Sequence, residues 1–172
     1  MLSGSTSYTV TGADTGSATG VALWQNIENL TGTAGADSFA FNAGSSLTGD
    51  ARGLGGDDSF TLTGNAAAAS LLGDADNDTF NLAGFTFTGV IDGRAAGTNQ
   101  DTITGANNYT VTGNDAGTST QISGGFIDIE NLTGTTGADS FSFDAGGQLI
   151  ATADGLGGAD SFVLLGNASA GL

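Results

Sequence analysis

Six aspartates share one local signature. The triplet Asp-[Ser/Thr]-[Phe/Ile] begins at Asp37, Asp58, Asp78, Asp101, Asp139 and Asp160. Successive steps are 21, 20, 23, 38 and 21 residues, so the 38 reads as two steps with one degenerate. Asp115, and Asp14 before it, are the candidates for the degenerate position. If such segments stack in register, Asp37, Asp58, Asp78 and Asp101 form one carboxylate column, and Asp139 with Asp160 another. Two carboxylates about 5 Å apart repel by about 1 kcal/mol in water and about 3 kcal/mol at an effective dielectric of 20. The chain holds only two cationic side chains, Arg52 and Arg94, placed to pair with Asp50 and Asp92. Two chemistries answer that repulsion. A calcium ion accepts carboxylate and carbonyl oxygens from flexible loops, and Gly73-Asp74-Ala75-Asp76-Asn77-Asp78 is the densest source of them. Alternatively, each Asp caps free backbone N–H groups in a turn and no ion is needed.

The elements that would position these acids are legible as repeats. Ile27 to Phe39 recurs at Ile129 to Phe141, an offset of 102, with a single difference, Ala34 against Thr136. Gly53 to Phe60 recurs at Gly155 to Phe162. The chain thus divides into a first long repeat over 7–107 and a second, truncated one over 108–172, within a single domain over 1–172. It reads as an excerpt of a longer array. Phe39/Phe41, Phe60/Leu62, Phe80/Leu82, Phe85/Phe87, Phe141/Phe143 and Phe162/Leu164 are spaced by two, which a strand sends to one face. Leu47, Leu71, Val90 and Leu149 mark a second short strand in each step, and Tyr109/Val111 with Ile127/Ile129 mark the degenerate region. Ala66 to Leu72, bounded by glycines, reads as a turn or strand. A period near twenty with Gly-rich turns predicts an all-β fold, a parallel β-solenoid of about 20 residues per coil, right-handed by the general preference of parallel crossovers. One coil cannot offset its own ordering entropy, so neighbours must share a continuous apolar spine.

Composition removes several function classes. With 18 acidic and two basic residues the formal net charge is −16, which repels nucleic acid and anionic membrane. There is no His and no Cys, so Cys–His nucleophiles, thiolate zinc sites and disulfides are absent. No basic leader and no apolar run long enough to span a bilayer is visible. Glu28 and Glu130, the only glutamates, sit five coils apart, too far for a glycosidase pair. They read as corner hydrogen-bonding groups. Trp24, Tyr8 and Tyr109 read as packing residues.

The segment Gly53-Leu54-Gly55-Gly56-Asp57-Asp58-Ser59-Phe60 resembles the calcium-binding repeat of RTX proteins, with Leu54 where that repeat has its second Gly. Gly32/Gly35/Asp37/Phe39, Gly134/Gly137/Asp139/Phe141 and Gly155/Gly158/Asp160/Phe162 match likewise. Gly73, Asp78 and Phe80 match with Asp76 in place of a Gly, and Asp101 with Ile103 keeps little else. RTX motifs run two to a coil, whereas here one appears about every twenty residues. The phrases Tyr8-Thr-Val-Thr-Gly, Asn26-Ile-Glu-Asn-Leu-Thr-Gly and Gly35-Ala-Asp-Ser-Phe together resemble the repeats of haemagglutinin-like, adhesin-type filamentous surface proteins. That resemblance implies an extracellular or cell-surface parallel β-helix whose repeats extend a fibre.

The leading expectation is therefore a non-enzymatic structural repeat module of a fibre, adhesin stalk or surface layer. It would be stabilised by calcium as candidate cofactor at Asp74, Asp76, Asp78, Asp37, Asp58, Asp101, Asp139 and Asp160. Its expected partners are further copies stacked end to end, and a cell-surface or matrix glycan met through a parent protein. Nucleic acid and membrane insertion are not expected. A second class is an ice- or glycan-binding solenoid, motivated by Thr33, Thr61, Thr63, Thr86, Thr88 and Thr135, although these form no regular rank. A polysaccharide-acting enzyme is the third, disfavoured by the lack of Lys and His.

Overall fold

The computed structural model describes residues 1–94 and 99–171. These hold twenty strands and no helix, so none long and apolar enough to cross a membrane. In chain order they are β1 Leu2–Ser3, β2 Ser7–Gly12, β3 Thr15–Ala18, β4 Val21–Gln25, β5 Leu30–Thr31, β6 Ser38–Phe41, β7 Ala51–Gly55, β8 Ser59–Leu62, β9 Ala66–Ala75 and β10 Thr79–Asn81. The second half runs β11 Phe87–Asp92, β12 Thr102–Thr104, β13 Asn108–Gly113, β14 Ala116–Ser119, β15 Ile122–Ile127, β16 Asn131–Thr133, β17 Ser140–Phe143, β18 Gln148–Asp154, β19 Ser161–Leu164 and β20 Ser169–Gly171. They form two ten-stranded sheets, ordered β1-β5-β7-β9-β11-β15-β14-β13-β17-β19 and β20-β18-β16-β12-β10-β8-β6-β2-β3-β4. Neither closes into a barrel. From β5 to β12 successive strands alternate between the sheets, and each of β5 to β10 pairs in parallel with the strand about twenty residues on.

Register follows the alternation in the sequence. Phe39 pairs with Phe60, Phe60 with Phe80, and Phe80 with Ile103, while the Ser, Thr and Asn between them face outward. A one-residue slip would turn every Phe to solvent. The rings stack on one another: Tyr8, Phe39, Phe60 and Phe80 have successive centroids 4.9, 4.7 and 4.9 Å apart. A second stack runs Tyr109, Phe141, Phe162 at 5.3 and 4.8 Å. Leu30, Ala51, Leu71 and Ile91 of the opposite sheet belong to the same buried cluster.

Several expectations are corrected here. The degenerate region is not a parallel step. β2-β3-β4 and β13-β14-β15 are antiparallel meanders, and Asp14 and Asp115 sit in their two-residue turns with φ of 47° and 48°. Each meander folds tightly because a Gly faces a ring. A Cβ on Gly16 would lie 2.5 Å from the Trp24 ring, and one on Gly117 would lie 2.8 Å from that of Phe126. Trp24 thus has a structural counterpart in Phe126, which the extra residue at Gly124-Gly125 hides in the sequence. Phe85 does not share a face with Phe87: it precedes β11 and is exposed, whereas Phe87 is buried. Ile127 is likewise exposed while Ile129 is buried, and in β11 it is Ile91, not Val90, that is fully buried. Ala66 to Leu72 resolves as part of the strand β9.

The long repeats exchange sheets. β2, β6 and β8 lie in the second sheet, but their counterparts β13, β17 and β19 lie in the first. β5, β7 and β9 show the reverse exchange with β16, β18 and β20. Joints β11–β15 and β12–β16 make the handover.

Candidate functional site: the acid column

The predicted column exists, and its chemistry is backbone capping. Asp37 N–H donates to Asp58 Oδ1 at 2.7 Å, Asp58 N–H to Asp78 Oδ1 at 2.8 Å, and Asp78 N–H to Asp101 Oδ1 at 2.7 Å. Each Asp immediately precedes a strand of the second sheet, so its N–H is the first main-chain donor before the ladder begins. The next Asp carboxylate supplies the acceptor. Asp139 N–H donates to Asp160 Oδ1 at 3.1 Å in the shorter column of the other sheet.

One rung was missed by the sequence reading. Asp101 N–H donates to Glu130 Oε2 at 2.7 Å, so Glu130 extends the column. The available signal was Glu130-Asn-Leu-Thr-Gly beside Asp101-Thr-Ile-Thr-Gly: the same pattern with an acid one methylene longer. The expected corner role of Glu130 takes this specific form.

The remaining oxygens divide the column into two kinds. Asp37 Oδ2 accepts the Thr33 N–H at 2.6 Å, and Asp139 Oδ2 accepts that of Thr135 at 2.9 Å. In contrast, Oδ2 of Asp58, Asp78 and Asp101 is buried with no hydrogen-bond partner among the described residues. These oxygens pack onto glycines. A Cβ on Gly53 would stand 1.8 Å from Asp58 Oδ2, one on Gly73 2.2 Å from Asp78 Oδ2, and one on Gly93 2.4 Å from Asp101 Oδ2. That close approach is what the Gly of the repeated motif provides. Burial pushes Asp58 up to about 7, Asp78 to about 8 and Asp101 to about 7; the bonded N–H groups pull the other way, and neighbouring acids add to the rise. Asp58, Asp78 and Asp101 therefore keep their protons well above the ordinary carboxylate range, and partial protonation near neutral pH relieves the repulsion expected along the file.

The cluster over 74–78 does not converge. Asp74 forms a two-pronged ion pair with Arg52, with Nη2 to Oδ1 at 2.9 Å, and lies 3.7 Å from Arg94. Arg52 thus reaches one step along the sheet rather than to Asp50, while Arg94 meets Asp92 at 3.3 Å as expected. Asp76 Oδ2 accepts the Gly56 N–H at 2.9 Å, and Asp78 belongs to the column. Asp74 and Asp76 hold φ of 80° and 75°, and Leu54 holds 90°. Side chains here tolerate the left-handed corner that the RTX pattern gives to Gly, at a cost of about 1 kcal/mol each.

Calcium takes about six to eight oxygens. Among the described residues no three His, Cys, Asp or Glu side chains group to hold a metal ion. The oxygens left over in the column abut glycine backbone, so the residues present do not fit a calcium shell.

No protein-family model matches the chain, and no curated protein or solved structure matches it.

Proposed function

We propose that this chain is a structural repeat module, a right-handed β-solenoid serving an extracellular or cell-surface fibre, adhesin stalk or surface layer. The observation that supports it best is the superposition of two ladders over the same steps: stacked rings inside, and acid-to-backbone bonds where each strand starts. Every step is held to the next by groups that the next step itself supplies. Such a design gains cooperativity by adding steps, which suits spanning distance better than shaping a reaction centre. The side chains that dominate the interior are apolar, and the buried acids are engaged by main chain; no catalytic role is assigned to them.

In this reading further copies associate through open sheet edges at the ends, since an unpaired strand edge is a template for another strand. Small-angle X-ray scattering tests the architecture: ten strands at about 4.8 Å give a rod roughly 50 Å long, and an isotropic particle overturns it. Immunogold labelling of the source cells tests the role. Label on surface fibres supports it, and label confined to the cell interior overturns it.

A further inference from the structure

We propose that the groove where the two long repeats meet on the outer face of the second sheet binds a neutral oligosaccharide. This site is separate from the acid column and independent of the fibre reading. Its sides are Asn77 and Gln100 on one flank and Thr152 and Asp154 on the other, with Thr102, Asn131 and Thr133 forming the floor of an open, shallow concavity of about 680 Å³. That volume lies within the range of about 300–1,000 Å³ typical of small-molecule sites. The floor is set by register. Thr102 pairs with Asn131 and Thr133 with Asp154, all pointing away from buried Ile103, Leu132 and Ala153.

Comparison of the two copies shows why a groove forms here. In the first copy the Asn29 amide folds over Gly49, where its Oδ1 accepts the Asp50 N–H at 3.0 Å. It fits only because Gly49 has no side chain: a Cβ there would lie 2.3 Å from Asn29 Oδ1. The matching residue of the second copy is Ala151. Its methyl occupies that space, and Asn131, the counterpart of Asn29, lines the groove instead. Two further differences act together with it. Asp50 is matched by Thr152, and Arg52, which is ion-paired to Asp74, is matched by Asp154, whose Oδ1 accepts the Leu156 N–H. Three changes in four residues thus turn a self-capped corner into a concavity lined with amides, hydroxyls and one carboxylate.

The lining chemistry selects the ligand. Amide and hydroxyl groups give paired donors and acceptors, matching the vicinal hydroxyls of a sugar. With no aromatic in the lining, a flat apolar ligand has nothing to stack on. The net charge of −16 disfavours uronate or sulfated glycans. A shallow, hydroxyl-matched groove binds weakly, in the millimolar range.

The test is NMR titration of the intact chain with maltotriose, cellotriose and triacetylchitotriose, following the Asn and Gln side-chain NH₂ signals. Saturable shifts with at least one of these sugars are expected. Affinity should fall about tenfold in Asn131→Ala and in Gln100→Ala. Ala151→Gly reopens the space that Asn29 uses, so it should weaken binding by a similar factor while circular dichroism stays unchanged. Absence of saturable shifts with all three sugars overturns the proposal. So do shifts equal in size for wild type and all three variants, or tighter binding of oligogalacturonate than of the neutral sugars.

Discussion

At Gly53, 1.8 Å separates a missing methyl from a carboxylate oxygen. Gly53→Ala cannot be absorbed by a flexible neighbour alone, because the backbone carbonyl oxygen of Gly73 stands 2.8 Å from the same point. Chemical denaturation should show a loss of about 3 kcal/mol or more. Gly35→Ala, with nothing within 4 Å, should change stability by less than about 0.5 kcal/mol. The acids make a second statement. Asp58, Asp78 and Asp101 hold protons more tightly folded than unfolded, since their folded values near 7 and 8 exceed the ordinary 3.8. Their contribution is fully present below about pH 4 and is lost as pH rises toward about 8. Thermal melts at about pH 5 and about pH 8 should therefore show the higher Tm at the lower pH. Asp78→Asn keeps an acceptor for the Asp58 N–H but does not titrate, so it should flatten that dependence. Chelator and millimolar calcium should give the same Tm. The sequence revealed where these acids stand but not what they bind, because capping and metal binding call for the same residue types.

Strand by strand, alternation was read correctly for Phe39, Phe60, Phe80 and Phe141, where spacing by two coincides with a parallel ladder. It could not distinguish parallel from antiparallel neighbours, since both alternate with the same period. Tyr8/Val10 and Tyr109/Val111 are buried as their pattern implies, yet they open hairpins. The clues were small: glycines Gly16 and Gly117 opposite a large ring, and turns at Asp14 and Asp115. Phe85/Phe87 failed for another reason, a left-handed Ala83-Gly84 corner that places the first Phe before the strand begins. Phe60 sits between two stacked rings and is fully buried. Phe60→Ala should cost about 3–5 kcal/mol, and Phe85→Ala less than about 1 kcal/mol; equilibrium urea unfolding of both variants checks the contrast.

Across the whole molecule, the duplication of 102 residues was plain in the sequence, but its geometry was not. Nothing in a repeated phrase reveals that the second copy contributes its strands to the opposite sheets. The cause lies in the count of crossings: between β2 and β13 the chain changes sheet an odd number of times, so the second copy starts on the opposite side. Each meander in turn sets three strands of one sheet against a single strand of the other: β2, β3 and β4 face the step of β5, and β13, β14 and β15 face that of β16. Each therefore adds about 10 Å more length to one side than to the other. Because the copies alternate, the surplus falls first on the second sheet and then on the first. Parity follows: a tandem with an even number of units is balanced, while an odd one keeps an uncancelled wedge and curves. Growth of such an array by single-unit duplication would alternate between bent and straight forms, so pairs of units, rather than individual ones, are the natural increment of length.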